Sequence, residues 1–195
     1  AILSICKKNN ILFIEDSAQC LGGTYKGKSC GTFGCIGSFS FDMAKTLTTG
    51  EGGMVVTDDK NLYDRIAELS DHGHMHDPSV PRGSDPRREP GFNYRMSELA
   101  GAVGLAQIDK FDLILEKQAH NKQRVKQGLS SNRNIIFRAF SDEDGQINDT
   151  IIFSLPHAEG ALKVADQMFS QGVPNKILPE ACEWHFAGYW KHIFK

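Results

Sequence analysis

The chain has 195 residues with 22 basic and 24 acidic side chains, and its formal net charge of -2 lacks the basic excess needed to bind a phosphate backbone. Hydrophobic residues make up 40% of the chain, enough for a packed core, and no run of about 18 apolar residues predicts a membrane span. The five cysteines form no framework spacing, which favours free thiols in a reducing cytoplasm over a disulfide scaffold.

In chain order, the first part of the sequence alternates helices with short apolar strands. The run Ile11–Ile14 is apolar and rich in β-branched residues, which predicts a strand buried on both faces. Glu15 and Asp16 follow it, at the edge where open α/β sheets bind ligands. The alternation predicts an α/β domain with a mostly parallel sheet. The predicted strands are 11–14, 36–41 and 53–57, and the predicted helices are 1–8 and 60–69.

A long polar segment at residues 71–92 separates this part from a helical region. Loops of this length inside a compact domain are usually functional or disordered. Ser97 is predicted to cap the following helix, and the sequence between Gly104 and Ile114 is compatible with either a break or a continuous helix. The pattern then changes, which places a domain boundary near residues 115–130. The predicted later elements are strands at 135–137 and 151–153 and a helix at 158–169.

The strongest functional pattern lies within residues 14–53 and has three parts. Each part alone has an ordinary explanation: a strand-end aspartate caps a turn, a lysine is a solvated charge, and a glycine-rich stretch is a turn. The last part also lacks the Gly-Lys-Ser/Thr ending of a nucleotide P-loop. The three parts are Ile14-Glu15-Asp16-Ser17-Ala18-Gln19, Ser38-Phe39-Ser40-Phe41-Asp42-Met43-Ala44-Lys45 and Thr48-Thr49-Gly50-Glu51-Gly52-Gly53.

Together with Gly91-Phe92-Asn93-Tyr94-Arg95-Met96-Ser97-Glu98, these motifs resemble the DegT/DnrJ/EryC1/StrS family of sugar aminotransferases, which use pyridoxal 5'-phosphate. The motifs occur in the family's order, and the resemblance is strongest from residue 1 to about residue 130. It implies a three-layer α/β/α fold of the fold-type I pyridoxal enzymes, with part of the large cofactor-binding domain at 1–120 and part of a small C-terminal α/β domain at 121–195. Other cofactor-binding segments of the family lie upstream of the strand that ends in Asp16. We therefore expect this chain to be an interior piece of a longer protein.

The resemblance assigns roles to five residues. Lys45 matches the lysine that holds the cofactor as a Schiff base and then moves protons. Asp16 matches the carboxylate that keeps the pyridine nitrogen protonated, which makes the ring an electron sink. Gln19 matches the hydrogen-bond partner of the phenolic oxygen, and Ser40 matches a phosphate-binding hydroxyl. Asn93 matches a residue that reaches the phosphate in the neighbouring subunit, which implies a homodimer with shared active sites.

The type of reaction and the substrate follow from the same resemblance. Relatives that dehydrate sugars carry histidine in place of this lysine, so Lys45 favours transamination. The loop 71–83 and the tail 183–185 resemble the subgroup that forms 8-amino-3,8-dideoxy-manno-octulosonate for lipopolysaccharide, with glutamate as amino donor. Three loop arginines either bind such an anionic keto-sugar or are solvated. These are Arg82, Arg87 and Arg88.

Two alternatives to this function stay open at the level of sequence. A nucleotide-linked keto-hexose is the more general substrate of the family. A non-catalytic cofactor-binding regulator or scaffold is the other alternative, although such a protein has no need of the combined set of Asp16, Gln19, Ser40 and Lys45.

Three further clusters have competing interpretations. The alternating His72, His74 and His76 fit a metal site, a substrate-facing loop or a solvated segment, and no carboxylate or cysteine obviously completes a metal site. Cys30 and Cys35 have the wrong spacing for zinc, so we expect no bound metal. The aromatic tail fits a sugar-stacking surface or, as we favour, packed core. The tail contains Glu183, Trp184, His185, Phe186, Tyr189, Trp190 and His192.

Overall fold

The computed structural model describes residues 1–178 and 186–193. The chain divides into two compact units, the first formed by 1–123 with 140–150 and the second by 124–139 with the residues from 151 onward. The elements in chain order are α1 (Ile2–Lys8), β1 (Ile14–Asp16), β2 (Thr24–Tyr25), β3 (Lys28–Ser29), β4 (Ile36–Ser40), β5 (Gly53–Val56), α2 (Lys60–Ser70), a 3-10 turn (Arg82–Ser84), α3 (Glu98–Ile108), α4 (Phe111–Leu129), β6 (Ile136–Phe137), β7 (Phe153–Ser154), α5 (Ala158–Ser170) and a 3-10 turn (Ala187–Tyr189).

The main sheet of the first unit has three strands in the order β1-β4-β5. β1 and β4 are parallel, so the strands predicted around Ile14 and Ile36 lie in one sheet as expected. β5 runs antiparallel to β4, so this part of the sheet contains one parallel and one antiparallel pairing. A parallel connection needs a crossover, usually a helix, whereas residues 41–52 form a helix-free loop that turns the chain back.

The strand at the start of this sheet differs from its prediction in position and burial. β1 begins at Ile14 rather than at Ile11, and Leu12 and Ile14 are 78% and 60% exposed. The continuous apolar run predicted burial on both faces. β1 is paired with β4 on one side only, and its side chains point to the two faces of the sheet, where Leu12 and Ile14 are left uncovered within this chain.

The helices of the first unit begin and end where polar side chains stabilise their termini. Asp59 accepts hydrogen bonds from the backbone N–H groups of Asn61 and Leu62 at the start of α2. Ser97 caps α3 as predicted, because its hydroxyl accepts a hydrogen bond from Ala100 N at 3.1 Å. The helical region that follows is broken between Ile108 and Phe111, which settles the alternative left open by periodicity.

The second unit contains the short antiparallel pair β6–β7 and helix α5. The rings of Phe137 and Phe153 meet edge to face across this pair, with 6.4 Å between centroids. Phe186 and Tyr189 are more than half exposed, which contradicts their predicted place in a core. Trp190 is partly buried and His192 is exposed, whereas the predicted tail residues 183–185 lie outside the described residues. Among the described helices, none is both long and apolar enough to span a bilayer.

Candidate active site

Three of the predicted site residues lie at the carboxyl ends of the parallel strands β1 and β4. Asp16 ends β1 and Ser40 ends β4, and because these strands are parallel their carboxyl ends lie at the same edge. Ser17 N extends the ladder by donating to Ser38 O at 2.9 Å. The chain then turns at residues 17–20, where Ala18 N donates to Asp16 Oδ1 at 3.1 Å, and this turn presents Gln19 to solvent.

Glu15, next to Asp16, has a structural role that the sequence did not reveal. Its carboxylate accepts hydrogen bonds from the backbone N–H groups of Gly31 at 3.0 Å, Gly34 at 2.8 Å and Phe33. Successive side chains of a strand point to opposite faces, so Glu15 fixes the loop 31–34 while Asp16 faces the other way. No protein donor among the described residues binds Asp16 Oδ2, which leaves this oxygen available to a ligand.

The backbone N–H group of Cys20 closes the turn that carries Gln19. Cys20 N donates to Ser17 O at 2.9 Å. Burial, with a smaller contribution from a hydrogen bond to Cys30, raises the pKa of the Cys20 thiol to about 12. Cys20 therefore stays protonated at neutral pH and is no candidate nucleophile.

Lys45 lies in the loop 41–52 between β4 and β5, which we call the lysine loop. Asp42 shapes the turn before it, since Lys45 N donates to Asp42 O at 3.0 Å and Ala44 N donates to Asp42 Oδ1 at 2.8 Å. At the base of the loop, Phe41 N donates to Gly52 O at 2.8 Å. The backbone around Lys45 is thus held beside the end of β4, where Ser40 lies.

Two buried side chains anchor the lysine loop. Phe41 and Leu47 are 7% and 4% exposed. The Thr48 hydroxyl donates to Phe41 O at 3.2 Å and accepts from Gly50 N at 2.9 Å. Gly50 has a φ of +82°, which favours glycine, so the Thr-Thr-Gly-Glu-Gly-Gly motif forms the turn that returns the chain to β5.

Asn93 belongs to a second segment, residues 71–95, which we call the asparagine loop. Its backbone forms an isolated antiparallel bridge with Asp71, directly after α2. Arg95 Nε donates to Asn93 Oδ1 at 3.0 Å. Among the described residues no hydrogen bond joins Asn93 to any of the other four predicted site residues, which are Asp16, Gln19, Ser40 and Lys45. Asn93 therefore lies in a separate cluster.

Asp71 is the centre of this cluster and was missed by the sequence analysis. It is 4% exposed, and its Oδ1 accepts a hydrogen bond from Arg82 Nη2 at 2.6 Å and lies 3.4 Å from Arg95 Nε. His72 Nδ1 lies 3.2 Å from the same oxygen. The hydrogen bond from Arg82 holds the pKa of Asp71 well below its usual range. Asp71 is therefore an ionised carboxylate at neutral pH.

The histidines of the asparagine loop have partners other than a metal. His74 is buried, with Nδ1 at 3.1 Å from Asp85 Oδ2 and Nε2 at 3.1 Å from Arg87 Nη2. A guanidinium only donates, so Nε2 is the acceptor and the Nδ1–H group donates to Asp85. Hydrogen bonds from the Asp77 and His76 backbone N–H groups and from His74 hold the pKa of Asp85 below its ordinary value. No group of three potential ligands able to hold a metal occurs in the part of the chain that the structure describes.

The three loop arginines considered for substrate binding are each engaged within the protein. Arg82 binds Asp71, and Arg87 binds His74. Arg88 Nη2 lies 3.6 Å from a carboxylate oxygen of Glu68. Each arginine therefore has a contact within the protein, and the side chains of Arg82 and Arg88 remain about half exposed.

The residues at the sheet edge fit pyridoxal 5'-phosphate. The cofactor presents an aldehyde, a protonated ring nitrogen and a phosphate; the ends of β1 and β4 supply a free carboxylate oxygen and a hydroxyl, and the adjoining lysine loop carries an amine. These groups belong to Lys45, Asp16 and Ser40.

Comparison with proteins of known sequence agrees with this fit. The model of the DegT/DnrJ/EryC1/StrS aminotransferase family matches residues 1–192. GDP-perosamine synthase of Escherichia coli O157:H7 is 40% identical over 136 residues, which cover 67% of this chain and 34% of the relative. UDP-4-amino-4,6-dideoxy-N-acetyl-beta-L-altrosamine transaminase of Campylobacter jejuni is 39% identical over 117 residues, which cover 60% of this chain and 30% of the relative.

Solved structures show the same fold. PseC of Helicobacter pylori, an aminotransferase involved in the biosynthesis of pseudoaminic acid, matches with a TM-score of 0.81 at 24% identity over 99% of this chain and 51% of its own. GDP-4-keto-6-deoxy-D-mannose-3-dehydratase of E. coli matches with a TM-score of 0.75 at 23% identity over 88% of this chain and 47% of its own. At these identities the likeness shows the fold alone, which is the predicted fold of the fold-type I pyridoxal enzymes.

The chain spans about a third of the length of the curated relatives it matches and about half of the solved structures. The family match nevertheless covers nearly all of this chain. The chain belongs to the DegT/DnrJ/EryC1/StrS aminotransferase family, whose cofactor is pyridoxal 5'-phosphate.

Proposed function

We propose that the whole protein is a pyridoxal 5'-phosphate-dependent aminotransferase that converts a keto-sugar into an amino-sugar. The observation that carries this proposal is the placement of Asp16, Ser40 and the turn before Lys45 at one edge of the sheet. A scaffold that only binds other proteins has no need of an amine, a free carboxylate oxygen and a hydroxyl together.

Each residue has a distinct task in this proposal. When bound, the cofactor supplies an electron sink for the carbon that carries the amino group. The Lys45 amine holds the cofactor and then moves a proton to and from that carbon. The Asp16 carboxylate accepts a hydrogen bond from the ring nitrogen and keeps it protonated. The Gln19 amide donates to the phenolic oxygen, and the Ser40 hydroxyl donates to the phosphate.

Lys45 distinguishes transamination from dehydration. The fold cannot do so, because both an aminotransferase and a sugar dehydratase are among the structural matches. A lysine amine forms the covalent bond to the cofactor that exchange of amino groups requires, and a histidine does not. The presence of Lys45 therefore supports amino-group transfer.

A nucleotide-linked keto-hexose is the substrate class that the observations favour. Two curated relatives are named for GDP- or UDP-linked amino sugars. The second candidate, an oxidised octulosonate on the route to lipopolysaccharide, needs cationic side chains free to bind its carboxylate. Arg82, Arg87 and Arg88 are all engaged within the protein. Glutamate is the proposed amino donor for either substrate.

The proposal extends to the organisation of the whole protein. Residues 1–120 are assigned to the large cofactor-binding domain and residues 121–195 to the small C-terminal domain. Asn93 is proposed to reach the cofactor phosphate of the partner subunit in a homodimer. Free thiols at Cys6, Cys20, Cys30 and Cys35 support a cytoplasmic location.

The proposed activity is tested on the full-length protein reconstituted with pyridoxal 5'-phosphate. Wild type is expected to retain cofactor after dialysis, with visible absorbance, and to form an amino-sugar from a nucleotide-linked keto-hexose and glutamate. Lys45→Ala is expected to lower that activity by at least about 10³-fold, because the covalent anchor and proton carrier are lost. Lys60→Ala, which removes an exposed amine paired with Asp64, is the control. Wild-type activity in Lys45→Ala would contradict the proposal.

A further inference from the structure

The side-chain amide of Asn93 has a defined orientation. Arg95 Nε donates to its Oδ1 at 3.0 Å, and a guanidinium N–H can only donate, so the oxygen faces Arg95. The two Nδ2 hydrogens therefore point away from Arg95. No acceptor within the described ranges binds them, and the side chain is exposed. The arrangement presents two hydrogen-bond donors to solvent.

Arg95 is itself held in place by Asp71. Its Nε lies 3.4 Å from Asp71 Oδ1, and this buried carboxylate is also bound by Arg82. The backbone adds a second constraint. Tyr94 N donates to Ser70 O at 2.8 Å and Phe92 N donates to Leu69 O at 2.7 Å, on either side of Asn93. Both the backbone and the side chain of Asn93 are thus fixed against the end of α2.

The ligand that suits this arrangement is an anionic oxygen. The two N–H donors of Asn93 lie beside the Arg95 guanidinium, and hydrogen bonds to the charged oxygens of a phosphate are stronger than hydrogen bonds between neutral groups. The low pKa of Asp71 keeps the anchoring carboxylate ionised at neutral pH. An asparagine free to flip would present its oxygen to the phosphate in part of the population.

We propose that Arg95 is a positioning residue which, held by Asp71, fixes the Asn93 amide with both Nδ2 hydrogens directed at the phosphate of pyridoxal 5'-phosphate. This inference rests on the proposed function, because that function supplies the phosphate. It adds two residues, Arg95 and Asp71, that do not touch the cofactor themselves but act through Asn93.

Three substitutions of Arg95 separate the hydrogen bond from the charge. In Arg95→Lys a methylene group occupies the position of Nε, so the positive charge remains and the donor to Asn93 is lost. In Arg95→Gln an amide N–H occupies that position, so a donor remains and the charge is lost. Arg95→Met removes both. Arg65→Gln is the matched control, because Arg65 of α2 forms an exposed ion pair with Glu89 of the asparagine loop.

The measurement is the affinity of the full-length apoprotein for pyridoxal 5'-phosphate and for pyridoxal, which lacks the phosphate, by absorbance titration. Arg95→Lys and Arg95→Met are expected to bind pyridoxal 5'-phosphate about tenfold more weakly than wild type, with pyridoxal affinity unchanged. Arg95→Gln is expected to stay within about threefold of wild type. In an Asn93→Ala background, Arg95→Lys is expected to have no further effect, because the amide it orients is absent.

The possible outcomes separate this inference from the proposed function. If wild type does not prefer pyridoxal 5'-phosphate over pyridoxal, the proposed function fails and the inference fails with it. If wild type has this preference but Arg95→Lys matches wild type while Arg95→Gln matches Arg95→Met, the charge matters and the positioning inference is overturned. Equal losses for both ligands in every Arg95 variant, absent in Arg65→Gln, would mean a purely structural role and would also overturn it.

Discussion

The lysine loop and the asparagine loop both carry a proposed cofactor-binding residue, but different forces hold them. The lysine loop is anchored by the buried side chains Phe41 and Leu47 and by backbone and hydroxyl hydrogen bonds. The asparagine loop is anchored by two buried carboxylates, Asp71 and Asp85, which bind arginine, histidine and backbone N–H groups. The proposed covalent anchor of the cofactor thus lies in a loop held by apolar side chains, and the proposed phosphate ligand lies in a loop held by ionic contacts.

This difference predicts different responses to solution conditions. Burial of apolar side chains does not depend on protonation. Ionised carboxylates that are paired in the folded state lose their contribution to stability when acid protonates them. We therefore expect the lysine loop to respond to changes in side-chain volume and the asparagine loop to respond to pH.

The largest expected effect on stability comes from removing the apolar anchor of the lysine loop. Leu47→Ala is expected to lower the free energy of unfolding by about 2–5 kcal/mol, since it removes buried methyl groups and leaves a cavity. Chemical unfolding of the full-length protein measures this. Met43→Ala, in the same loop but 77% exposed, is the control and is expected to change stability little. Equal losses in both variants would contradict the assignment of Leu47 as the anchor.

The asparagine loop is expected to show its ionic character as a pH-dependent stability. The pKa of Asp71 is lowered in the folded state, so its contribution to stability is fully present above its ordinary pKa of 3.8 and is lost as the pH falls toward the lowered value. Asp71→Asn is expected to be less stable than wild type at pH 7, and the difference is expected to shrink below about pH 4.

Urea unfolding of both proteins between pH 7 and pH 3 tests this expectation. Leu47→Ala serves as the comparison, because its loss of stability involves no titrating group and is expected to be independent of pH. A difference between wild type and Asp71→Asn that stays constant over this range would contradict the ionic account of the asparagine loop.

The smallest expected effect concerns an exposed ion pair between α2 and the asparagine loop. Arg65 Nη2 lies 3.0 Å from Glu89 Oε1, and both side chains are more than half exposed. Such pairs contribute little because water and salt screen them. Arg65→Gln is expected to change the free energy of unfolding by less than about 1 kcal/mol, measured by thermal melting. A larger loss of stability would contradict the expectation that this exposed pair contributes less than the contacts of the buried Asp71.

Local patterns in the sequence were sufficient to predict most elements. Ser97 as a helix cap and the strand near Ile36 were confirmed because each depends on neighbouring residues. The direction of β5 was not predicted, although the absence of a helix between Lys45 and Gly53 already argued for an antiparallel connection.

The candidate site was only partly predictable for a physical reason. Asp16 and Ser40 are brought together by a parallel pairing that the strand pattern predicts. The contacts of Asp71 with Arg82 and of His74 with Asp85 join residues 11 positions apart in an irregular loop, where no periodicity applies. The available signal in the sequence was an aspartate directly after a predicted helix and followed by several arginines, a pattern that is compatible with an ion pair.

We propose that each active site combines the lysine loop of one subunit with the asparagine loop of its partner. Lys45 then acts on the cofactor of its own subunit, and Asn93 acts on the cofactor of the partner. Mixing full-length Lys45→Ala with full-length Asn93→Ala under conditions of subunit exchange tests it most directly. Each mixed dimer then carries both changes in one site and none in the other.

With equal amounts and random exchange, about half of the dimers are mixed and each has one intact site, so the activity is expected to approach about a quarter of wild type. The assay is run at a limiting concentration of cofactor, where both unmixed variants are expected to lie below that value, because Lys45→Ala lacks the proposed covalent anchor and Asn93→Ala binds the cofactor about tenfold more weakly. Mass spectrometry of the dimers confirms exchange. Activity that stays at the average of the two unmixed variants, despite exchange, would contradict the shared site.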